Sequence, residues 1–321
     1  MEILITGAAG FIGSNLVEFF LKEGFKVIGL DNLSTGFKKN IDEFLKHPNF
    51  NFVEGDIRNF NDCLKVTSNV NVVLHQAALG SVPRSINDPI TSNEVNISGF
   101  LNILEASKQN KVERFVYAAS SSTYGDSKEL PKKEDNIGKP LSPYAITKYV
   151  NELYASIYKR AYDIDTIGLR YFNVFGKKQD PNGAYAAVIP KFIDKFLNGE
   201  SPVINGDGTY SRDFTYIDNV IQMNYLASKT KNIYSLNQVY NVACGEQIKI
   251  FKMAELIREE LSLYDKKIND IEIKFGPNRV GDIPHSKASI EKAMKLLKYS
   301  PKFDFEKGIK QTVKWFIDKN G

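Results

Sequence analysis

The stretch that decides the fold is residues 2–31, EILITGAAGFIGSNLVEFFLKEGFKVIGLD. A short apolar run, EILIT, is followed by glycines, by residues with helical periodicity and then by a second apolar run, KVIGLD. Two strand-like runs joined by a helix within about 30 residues are typical of a βαβ unit. The stretch therefore predicts two parallel strands with a crossover helix between them.

The same alternation continues along the chain. Further strand-like runs are NFNFVEGD, NVVLHQAA, RFVYAASS and DTIGLRYF, with helical stretches between them around residues 96–109 and around SPYAITK. Strands that alternate with helices predict a parallel sheet whose two faces are covered by helices. Loops rich in Pro, Gly and Asn follow residue 175, and DFTYIDNVIQMNYLA and VYNVACGE then look again like a helix and a strand that complete the sheet.

We therefore predict an α/β fold built on a Rossmann-type doubly wound parallel sheet, with a smaller interleaved α/β substrate domain. The first domain is expected to take residues 1–175 plus about 212–243. The second is expected to take about 176–211 plus 244–321.

Composition argues against several classes of protein. The chain has 321 residues, 25% of them charged and 42% hydrophobic, which indicates neither disorder nor a membrane protein. The formal charge of +4 is spread over mixed-sign stretches, so nucleic-acid binding is not indicated. Cys63, Cys244 and the three histidines show no disulfide or metal-ligand spacing, and no metal is expected. No signal peptide precedes the first strand, so we expect a cytoplasmic protein.

The basic tail, SIEKAMKLLKYSPKFDFEKGIKQTVKWFIDK, alternates lysines with apolar residues at helical spacing. Such a pattern is found in helices that bind a membrane surface or calmodulin, and also in ordinary surface helices. We favour the second interpretation, in which Ile290, Met294 and Leu297 are buried in the core and Trp315 belongs to the same packing.

Gly7, Gly10 and Gly13 form a GxxGxxG pattern at the first turn from strand to helix. Gly7 allows the tight turn, Gly10 lets the backbone approach a pyrophosphate, and Gly13 lets the helix pack on the strand. Asp31 ends the next strand, where a carboxylate accepts hydrogen bonds from a ribose diol and repels a 2′-phosphate. The pattern predicts a dinucleotide site that favours NAD over NADP. Asp56 is expected to end the third strand, where it either contacts the adenine or is only solvated.

SPYAITK, residues 142–148, places Tyr144 and Lys148 about one helical turn apart on one face. An ammonium about 5 Å from a phenol, at an effective dielectric near 20, lowers the phenol pKa by roughly 2 units from about 10. The pair is therefore either a base that works near neutral pH or an ordinary exposed pair, and the spacing alone does not decide.

The order of the motifs decides it, because the chain closely resembles the extended short-chain dehydrogenase/reductase family and, within it, the UDP-hexose 4-epimerases. The motifs are GAAGFIG, LDNLSTG, HQAA, SSSTYGD, PYAITK, YFNVFG, GDGTYSRDFTYIDN and NRVGDIPHS, and they cover nearly the whole chain. HQAALGSVPRSINDP and LRYFNVFGKKQDPNGAYAAVIPKF look most like the branch that acts on UDP-N-acetylhexosamines.

The resemblance implies a catalytic set. Tyr144 is the expected base, and Lys148 is its partner and a ligand of the nicotinamide ribose. Ser120 is the expected hydroxyl helper, with Ser122 as a second candidate, and Ser121 either faces the substrate or belongs to a surface serine run. The residues implied to contact NAD are Gly7, Gly10, Phe11, Ile12, Gly13, Asp31, Asn32, Ser34, Thr35, Gly36, Asp56, Ile57, Gln76, Ala77, Ala78, Lys148 and Phe172.

The resemblance also implies a UDP-sugar substrate held by the second domain. Arg212 and Arg279, with Asp282, look like its clamp, because guanidinium forks pair bidentately with phosphates. Asn173 matches a substrate amide position, and Arg84 is expected to support the loop LGSVPRS, which carries Gly80 and Ser81. The residues implied to contact the substrate are Gly80, Ser81, Ser121, Asn173, Arg212, Arg279, Asp282 and Ser286.

Substrate choice is inferred from Ser286, which stands four residues after Asp282. Similar epimerases restricted to UDP-glucose and UDP-galactose carry a bulky tyrosine there. A serine leaves space for an N-acetyl group, so we expect UDP-GlcNAc and UDP-GalNAc to be interconverted by inversion at C4 through a transient 4-keto sugar. UDP-glucose and UDP-galactose are further candidate substrates.

Two alternatives stay open. A 4-epimerase of UDP-N-acetylglucosaminuronic acid needs a polar or cationic pocket for the 6-carboxylate, which the sequence does not locate. A non-catalytic nucleotide-sensing protein of the same fold has no need of Tyr144, Lys148 and Ser120. Related dehydratases and decarboxylases carry acidic residues where this chain has Ser121 and Ser122. The resemblance also implies a homodimer formed through the helices around 96–109 and 142–160.

Overall fold

The computed structural model describes residues 1–183, 186–277 and 283–320. The strands are β1 (Glu2–Thr6), β2 (Lys26–Asp31), β3 (Phe50–Glu54), β4 (Val72–His75), β5 (Arg114–Ser120), β6 (Asp165–Tyr171), β7 (Val174–Phe175), β8 (Val203–Asn205), β9 (Ser211–Arg212), β10 (Thr215–Tyr216), β11 (Gln238–Val242), β12 (Ile248–Lys249) and β13 (Lys274–Gly276). The α-helices are α1 (Phe11–Lys22), α2 (Phe60–Thr67), α3 (Val82–Asn87), α4 (Pro89–Asn93), α5 (Phe100–Gln109), α6 (Pro143–Tyr162), α7 (Val188–Leu197), α8 (Ile217–Lys229), α9 (Ile250–Ser262), α10 (Glu291–Leu297) and α11 (Phe305–Asn320).

The central sheet has seven strands in the order β11-β6-β5-β4-β1-β2-β3. Every neighbouring pair in it is parallel. The order reverses at β1, which pairs with β2 on one side and β4 on the other. The predicted Rossmann-type sheet is therefore confirmed, and so is the return of the chain to it at β11. A reversal of this kind opens a crevice at the carboxyl ends of the strands, where such folds bind ligands.

Alternation along the strands divides the core into two layers. In β1, Ile3 and Ile5 pack in one hydrophobic cluster with Leu16 of α1, whereas Leu4 packs in another with Phe100 of α5. Side chains of successive strand residues point to opposite faces, so a strand that is apolar throughout needs a cover on both sides. Helices α1 and α8 lie over one face of the sheet, and α2, α5 and α6 cover the other.

The region after β6 adds three two-stranded sheets, which pair β10 with β7, β12 with β9 and β13 with β8. Helices α7, α9 and α11 pack together there. Their buried side chains join the same hydrophobic cluster as Ile3 and Leu16. The division of the chain into two domains at the residues given above stays a prediction.

The tail differs from its prediction at one residue. Helix α10 buries Ala293 and Leu297, and Ile290 packs against the core, but Met294 is 49% exposed. The prediction for Met294 was wrong because α10 is short and lays a different side of its surface on the core. Within the described ranges, no helix has both the length and the apolar character needed to span a membrane.

Helix α6 is attached to the sheet by an ion pair between Arg170 of β6 and Glu152 of the helix. The guanidinium donates from Nε to Oε1 at 2.9 Å and from Nη2 to Oε2 at 2.7 Å. Both side chains are buried, and Nη1 donates to the carbonyl of Glu134 at 2.8 Å. Because Glu152 lies on the same helix as Tyr144 and Lys148, the pair determines how that helix sits on β5 and β6.

Substitution Arg170→Met leaves the Glu152 carboxylate buried without its partner. We expect the free energy of unfolding to fall by about 3–5 kcal/mol, because an uncompensated buried charge is strongly unfavourable. The double variant Arg170→Met/Glu152→Met should recover most of that loss, and the exposed control Arg160→Met should change stability by less than about 0.5 kcal/mol. Urea unfolding at one fixed NAD concentration measures all three, and a double variant no more stable than Arg170→Met would contradict the explanation.

Candidate active site

Two glycines at the turn between β1 and α1 stand where a side chain does not fit. Gly7 has a φ of +68°, and a Cβ there would lie 2.8 Å from the nitrogen of Ala77. A Cβ on Gly13 would lie 2.0 Å from the carbonyl oxygen of Gly7. Gly10 precedes α1 and offers no capping side chain, so the first amides of the helix remain open to a ligand.

Asp31 is held beside this loop by backbone amides. Its carboxylate accepts hydrogen bonds from the nitrogens of Ala9 at 2.9 Å and Leu33 at 2.8 Å. Burial raises the pKa of Asp31, and the amide hydrogen bonds act in the opposite direction. Asp31 therefore lies at the end of β2, where the sequence predicts it.

Asp56 differs slightly from its prediction, because β3 ends at Glu54 and Asp56 lies two residues beyond it. The carboxylate accepts from Asn32 at 2.8 Å and from the guanidinium of Arg58 at 2.7 Å. The hydrogen bond from Arg58 has the larger effect, and together these contacts lower the pKa of Asp56 to about 2. Asp56 is thus a fixed negative charge at the rim of the cofactor crevice.

These groups border a cavity of about 290 Å³ at the carboxyl ends of β1, β2 and β4. It is lined by Gly7, Gly10, Phe11, Ile12, Gly13, Leu30, Asp31, Asn32, Ser34, Thr35, Gly36, Gly55, Asp56, Ile57, Gln76, Ala77, Ala78, Leu79, Gly80 and Val95. Of the residues predicted to contact NAD, Lys148 and Phe172 are outside this lining. Glycine positions without space for a Cβ, free amides at a helix N-terminus and a buried carboxylate together suit the binding of a dinucleotide.

Asn96 lies behind this cavity, bonded to Leu79 of its lining, and the sequence did not suggest it. It is buried in a π-helical segment, Glu94–Gly99, between α4 and α5. Its side-chain oxygen accepts from the backbone nitrogen of Leu79 at 2.8 Å. Its side-chain nitrogen donates to the carbonyl of Leu79 and to the Thr147 hydroxyl, each at 3.2 Å. Asn96 therefore connects the loop after β4 to helix α6. A buried asparagine in an apolar helical stretch was the only signal.

Tyr144 stands in the first turn of α6, half-buried. Its backbone nitrogen donates to the Ser85 hydroxyl at 3.0 Å, and its side chain is hydrogen-bonded to Ser120. A Cβ placed on Gly80 would lie 4.0 Å from the phenol oxygen, so the loop after β4 passes directly beside it. The phenol thus faces the point where the cofactor cavity ends.

Lys148 lies one turn further along α6 and is 2% exposed. Its ammonium donates to the carbonyl of Ala118 in β5 at 2.8 Å and lies 6.0 Å from the centre of the Tyr144 ring. Burial lowers the pKa of Lys148 to about 8. Burial also raises the pKa of Tyr144, and the bond to Ser120 offsets this only in part. The expected lowering of the Tyr144 pKa by Lys148 is therefore not found, because the cost of desolvating the phenolate is larger.

Ser120 and Ser122 act as a pair. Ser120 ends β5, and its hydroxyl oxygen accepts from the backbone nitrogen of Ser122 at 3.2 Å and from the Ser122 hydroxyl at 2.9 Å. The 3-10 turn Ser121–Tyr124 follows at once. Ser120 is thus oriented by Ser122 and bonds to Tyr144.

A second, larger cavity of about 560 Å³ adjoins these serines. It is lined by Val82, Pro83, Ile86, Asn87, Ser120, Ser121, Ser122, Tyr124, Gly125, Lys132, Leu141, Ser142, Ala145, Phe172, Asn173, Arg212, Ile283, His285 and Ser286. Phe172, predicted to contact NAD, therefore lies in the wall of the larger cavity. Lys132, His285 and the apolar residues of α3 were not predicted. His285 and α3 lie within NRVGDIPHS and HQAALGSVPRSINDP, where the resemblance singled out other residues, and Lys132 lies in no motif.

The wall opposite the serines is formed where residues 283–286 lie along β9. The nitrogen of Ser286 donates to the carbonyl of Ser211 at 3.1 Å, and Arg212 donates from Nη1 to that carbonyl at 2.9 Å and to that of Pro284 at 3.2 Å. Asn173, with a φ of +34°, donates to the carbonyl of Asp213 at 3.2 Å. These contacts bring Asn173, Arg212 and Ser286 to one cavity.

The remaining substrate candidates are placed elsewhere. Gly80 lines the smaller cavity, and Ser81 caps α3 by accepting from the nitrogen of Arg84 at 3.2 Å. Neither Ser81 nor Arg84 lines the larger cavity. Arg279 and Asp282 lie outside the described residues.

Comparison with known proteins identifies the family. Residues 3–243 match the NAD dependent epimerase/dehydratase family. The chain belongs to this family. A putative UDP-glucose 4-epimerase of Methanocaldococcus jannaschii is 38% identical over 320 residues, 99% of each chain. The family is NAD-dependent, so NAD is the cofactor of this epimerase-family chain, as predicted.

Two solved structures are similar over the whole chain. A UDP-N-acetylglucosamine 4-epimerase from Methanobrevibacter ruminantium, in complex with UDP-N-acetylmuramic acid, is 39% identical, with a TM-score of 0.92 and coverage of 99% of this chain and 98% of that one. A UDP-glucuronic acid 4-epimerase from Bacillus cereus, in complex with UDP-glucuronic acid and NAD, is 32% identical, with a TM-score of 0.89 and coverage of 99% and 100%.

Proposed function

We propose that this chain is a UDP-sugar 4-epimerase that interconverts UDP-GlcNAc and UDP-GalNAc. The observation that carries the proposal is the meeting of Tyr144, Ser120 and Lys148 where the glycine-lined cavity and the larger cavity approach each other. Similar proteins that act on UDP-sugars support the reaction class. Ser286, small and placed in the wall of the larger cavity, supports an N-acetylated substrate.

The chain's own groups provide the proton chemistry at C4. Tyr144, as phenolate, takes the proton of the sugar 4-hydroxyl, and Ser120 orients that hydroxyl through its bond to the phenol. NAD held by the residues of the smaller cavity would supply the hydride acceptor and donor for C4 and would add a positive charge to the site. Tyr144 then returns the proton, so a 4-keto sugar forms only transiently and there is no net oxidation.

The groups proposed to hold the substrate bind it at positions other than the reacting carbon. Arg212 is proposed to pair with the substrate diphosphate, because a guanidinium fork matches two phosphate oxygens. Arg279 and Asp282, which the motif NRVGD indicates, are proposed to act with it. Asn173 and Ser286 are proposed to contact the sugar, which must turn over in the cavity before the proton and hydride return. A cavity of about 560 Å³ has space for that movement.

Incubation of the purified protein with UDP-GlcNAc, without added NAD, tests the reaction by proton NMR. Inversion at C4 is expected, because a cofactor regenerated in each cycle can remain bound. UDP-glucose and UDP-N-acetylglucosaminuronic acid are run in parallel. No inversion of any sugar, even after NAD is added, would favour the non-catalytic nucleotide sensor.

Substitution Lys148→Met tests the electrostatic role of the ammonium. The ammonium lies 6.0 Å from the centre of the Tyr144 ring. A unit charge about 6 Å from a phenolate, at an effective dielectric near 20, stabilises it by about 3 kcal/mol, or roughly 2 pKa units. The rate at pH 7 should fall by about 100-fold, and the rise of rate with pH should move to higher pH, because the phenolate is then less populated. A pH series of initial rates measures this. An equal loss at every pH would mean that Lys148 acts in another way, and Tyr144→Phe provides the inactive control.

Substitution Ser286→Tyr tests the substrate assignment. A tyrosine in that wall fills the space proposed for the N-acetyl group, so turnover of UDP-GlcNAc should be lost while turnover of UDP-glucose is retained. Steady-state rates with both sugars measure the ratio, and Ser286→Ala is the matched control that keeps the space. Equal loss of both activities would reject the steric role.

We also propose that the chain is a homodimer. Ile146, Leu153 and Ile157 are 51%, 49% and 47% exposed and form one stripe on α6, on the side opposite Lys148. A stripe of this kind suits a second copy of the same helix. Sedimentation equilibrium should give a dimer for the wild type and for Ile233→Glu, whose isoleucine is 71% exposed elsewhere, and a monomer for Leu153→Glu. A dimeric Leu153→Glu variant would place the interface on another surface.

A further inference from the structure

We propose that Lys132 is an oxyanion-binding residue of the larger cavity and that it recognises a carboxylate carried by the sugar of the substrate. The inference rests on the proposed UDP-sugar 4-epimerase reaction, and it adds UDP-sugars with an acidic group to the substrates of the same cavity. It concerns the 6-carboxylate question that the sequence leaves open.

Lys132 is unusual for its burial. It is 4% exposed, yet it lines the larger cavity together with Ser120, Tyr124 and Ser286. Lysine is rarely buried unless its charge is paired. A buried lysine in a ligand cavity therefore points to a ligand of opposite charge.

The protein gives this ammonium little compensation. Its Nζ donates to the carbonyl of Ser127. An ammonium has three donor hydrogens, so two remain for other acceptors. Within residues 1–183, 186–277 and 283–320, no carboxylate lies within ion-pair distance of it. Burial lowers the pKa of Lys132, and the charge of Glu129 raises it in part.

The backbone of Lys132 is held firmly beside the wall that contains Ser286. Its nitrogen donates to the carbonyl of Lys287 at 2.7 Å, and its carbonyl accepts from Ser289 and from the side chain of Asn241, each at 2.9 Å. A side chain that starts from a pinned backbone needs little ordering when a ligand binds, so its interaction with an anion is not offset by a large entropy cost.

The positions of Arg212 and Lys132 on different walls of the cavity favour a carboxylate, and not the substrate diphosphate, as the partner of Lys132. Arg212 stands on β9, and its fork suits phosphate oxygens. Lys132 belongs instead to the segment that follows the serine turn, where the reacting sugar lies if Ser120 acts on its 4-hydroxyl. A single ammonium is a point charge and suits a single carboxylate.

The test compares three ligands in three proteins. Dissociation constants for UDP, UDP-GlcNAc and UDP-N-acetylglucosaminuronic acid are measured by calorimetry in Tyr144→Phe, which binds without turnover, and in the same background with Lys132→Met or Lys133→Met. Lys133 is the exposed neighbour and serves as the matched control. Because binding is measured, the result does not depend on whether the wild type inverts C4.

We expect Lys132→Met to weaken binding of the acidic sugar by about 30-fold more than binding of UDP-GlcNAc, since truncation leaves a desolvated carboxylate unpaired. Lys133→Met should leave that ratio unchanged. Equal weakening of all three ligands would mean that Lys132 holds the diphosphate and would overturn the assignment. An unchanged ratio with unchanged UDP binding would overturn it as well, leaving Lys132 a structural residue.

Discussion

The buried ion pair between Arg170 and Glu152 is the contact on which the geometry of the site depends. Besides holding α6 to β6, the guanidinium lies 4.8 Å over the ring of Tyr124, the last residue of the serine turn. The Tyr124 hydroxyl donates to Asn241 of β11 at 2.7 Å, and the nitrogen of Asn241 donates to Glu134 at 2.9 Å. One charged group thus connects the helix of the base, the turn of its hydroxyl partner and the edge strand. A buried pair adds little net stability, and its value here lies in the single arrangement that it permits.

Electrostatics of the base cannot be judged from spacing alone. Tyr144 and Lys148 are adjacent, as four-residue spacing requires, but the environment that brings them together also removes water from both. Burial disfavours the charged form of each group, so the phenol holds its proton more tightly and the ammonium less tightly. NAD in its oxidised form, when bound in the smaller cavity, would add a positive charge that offsets this cost and favours the phenolate of Tyr144.

The sequence predicted what is local and missed what is assembled from distant segments. The βαβ alternation predicted the sheet. The residues of the smaller cavity follow from it, because Asp31 ends its strand and Gly7 and Gln76 come directly after theirs, at the same edge of the sheet. Lys132 and His285 reach the larger cavity through loops whose pairing, 132 with 288 and 211 with 285, has no sequence pattern. Asn96 was missed for a related reason, since its importance comes from a loop that is distant in sequence.

The small side chain of Ser286 and the charge of Lys132 are placed in the larger cavity by segments that share one backbone hydrogen bond. The backbone nitrogen of Lys132 donates to the carbonyl of Lys287, next to Ser286, so the segments that carry the cation and the small residue are joined directly. A cavity that admits a large substituent loses water when the substituent enters, and the ammonium beside it then interacts more strongly with any anion. Neither side chain therefore determines substrate choice alone. Their effects are expected to be non-additive, as for residues that share a cavity and a backbone contact. Under the two proposals, substrate choice by this chain is then expected to depend on both segments, the one with Lys132 and the one with Ser286.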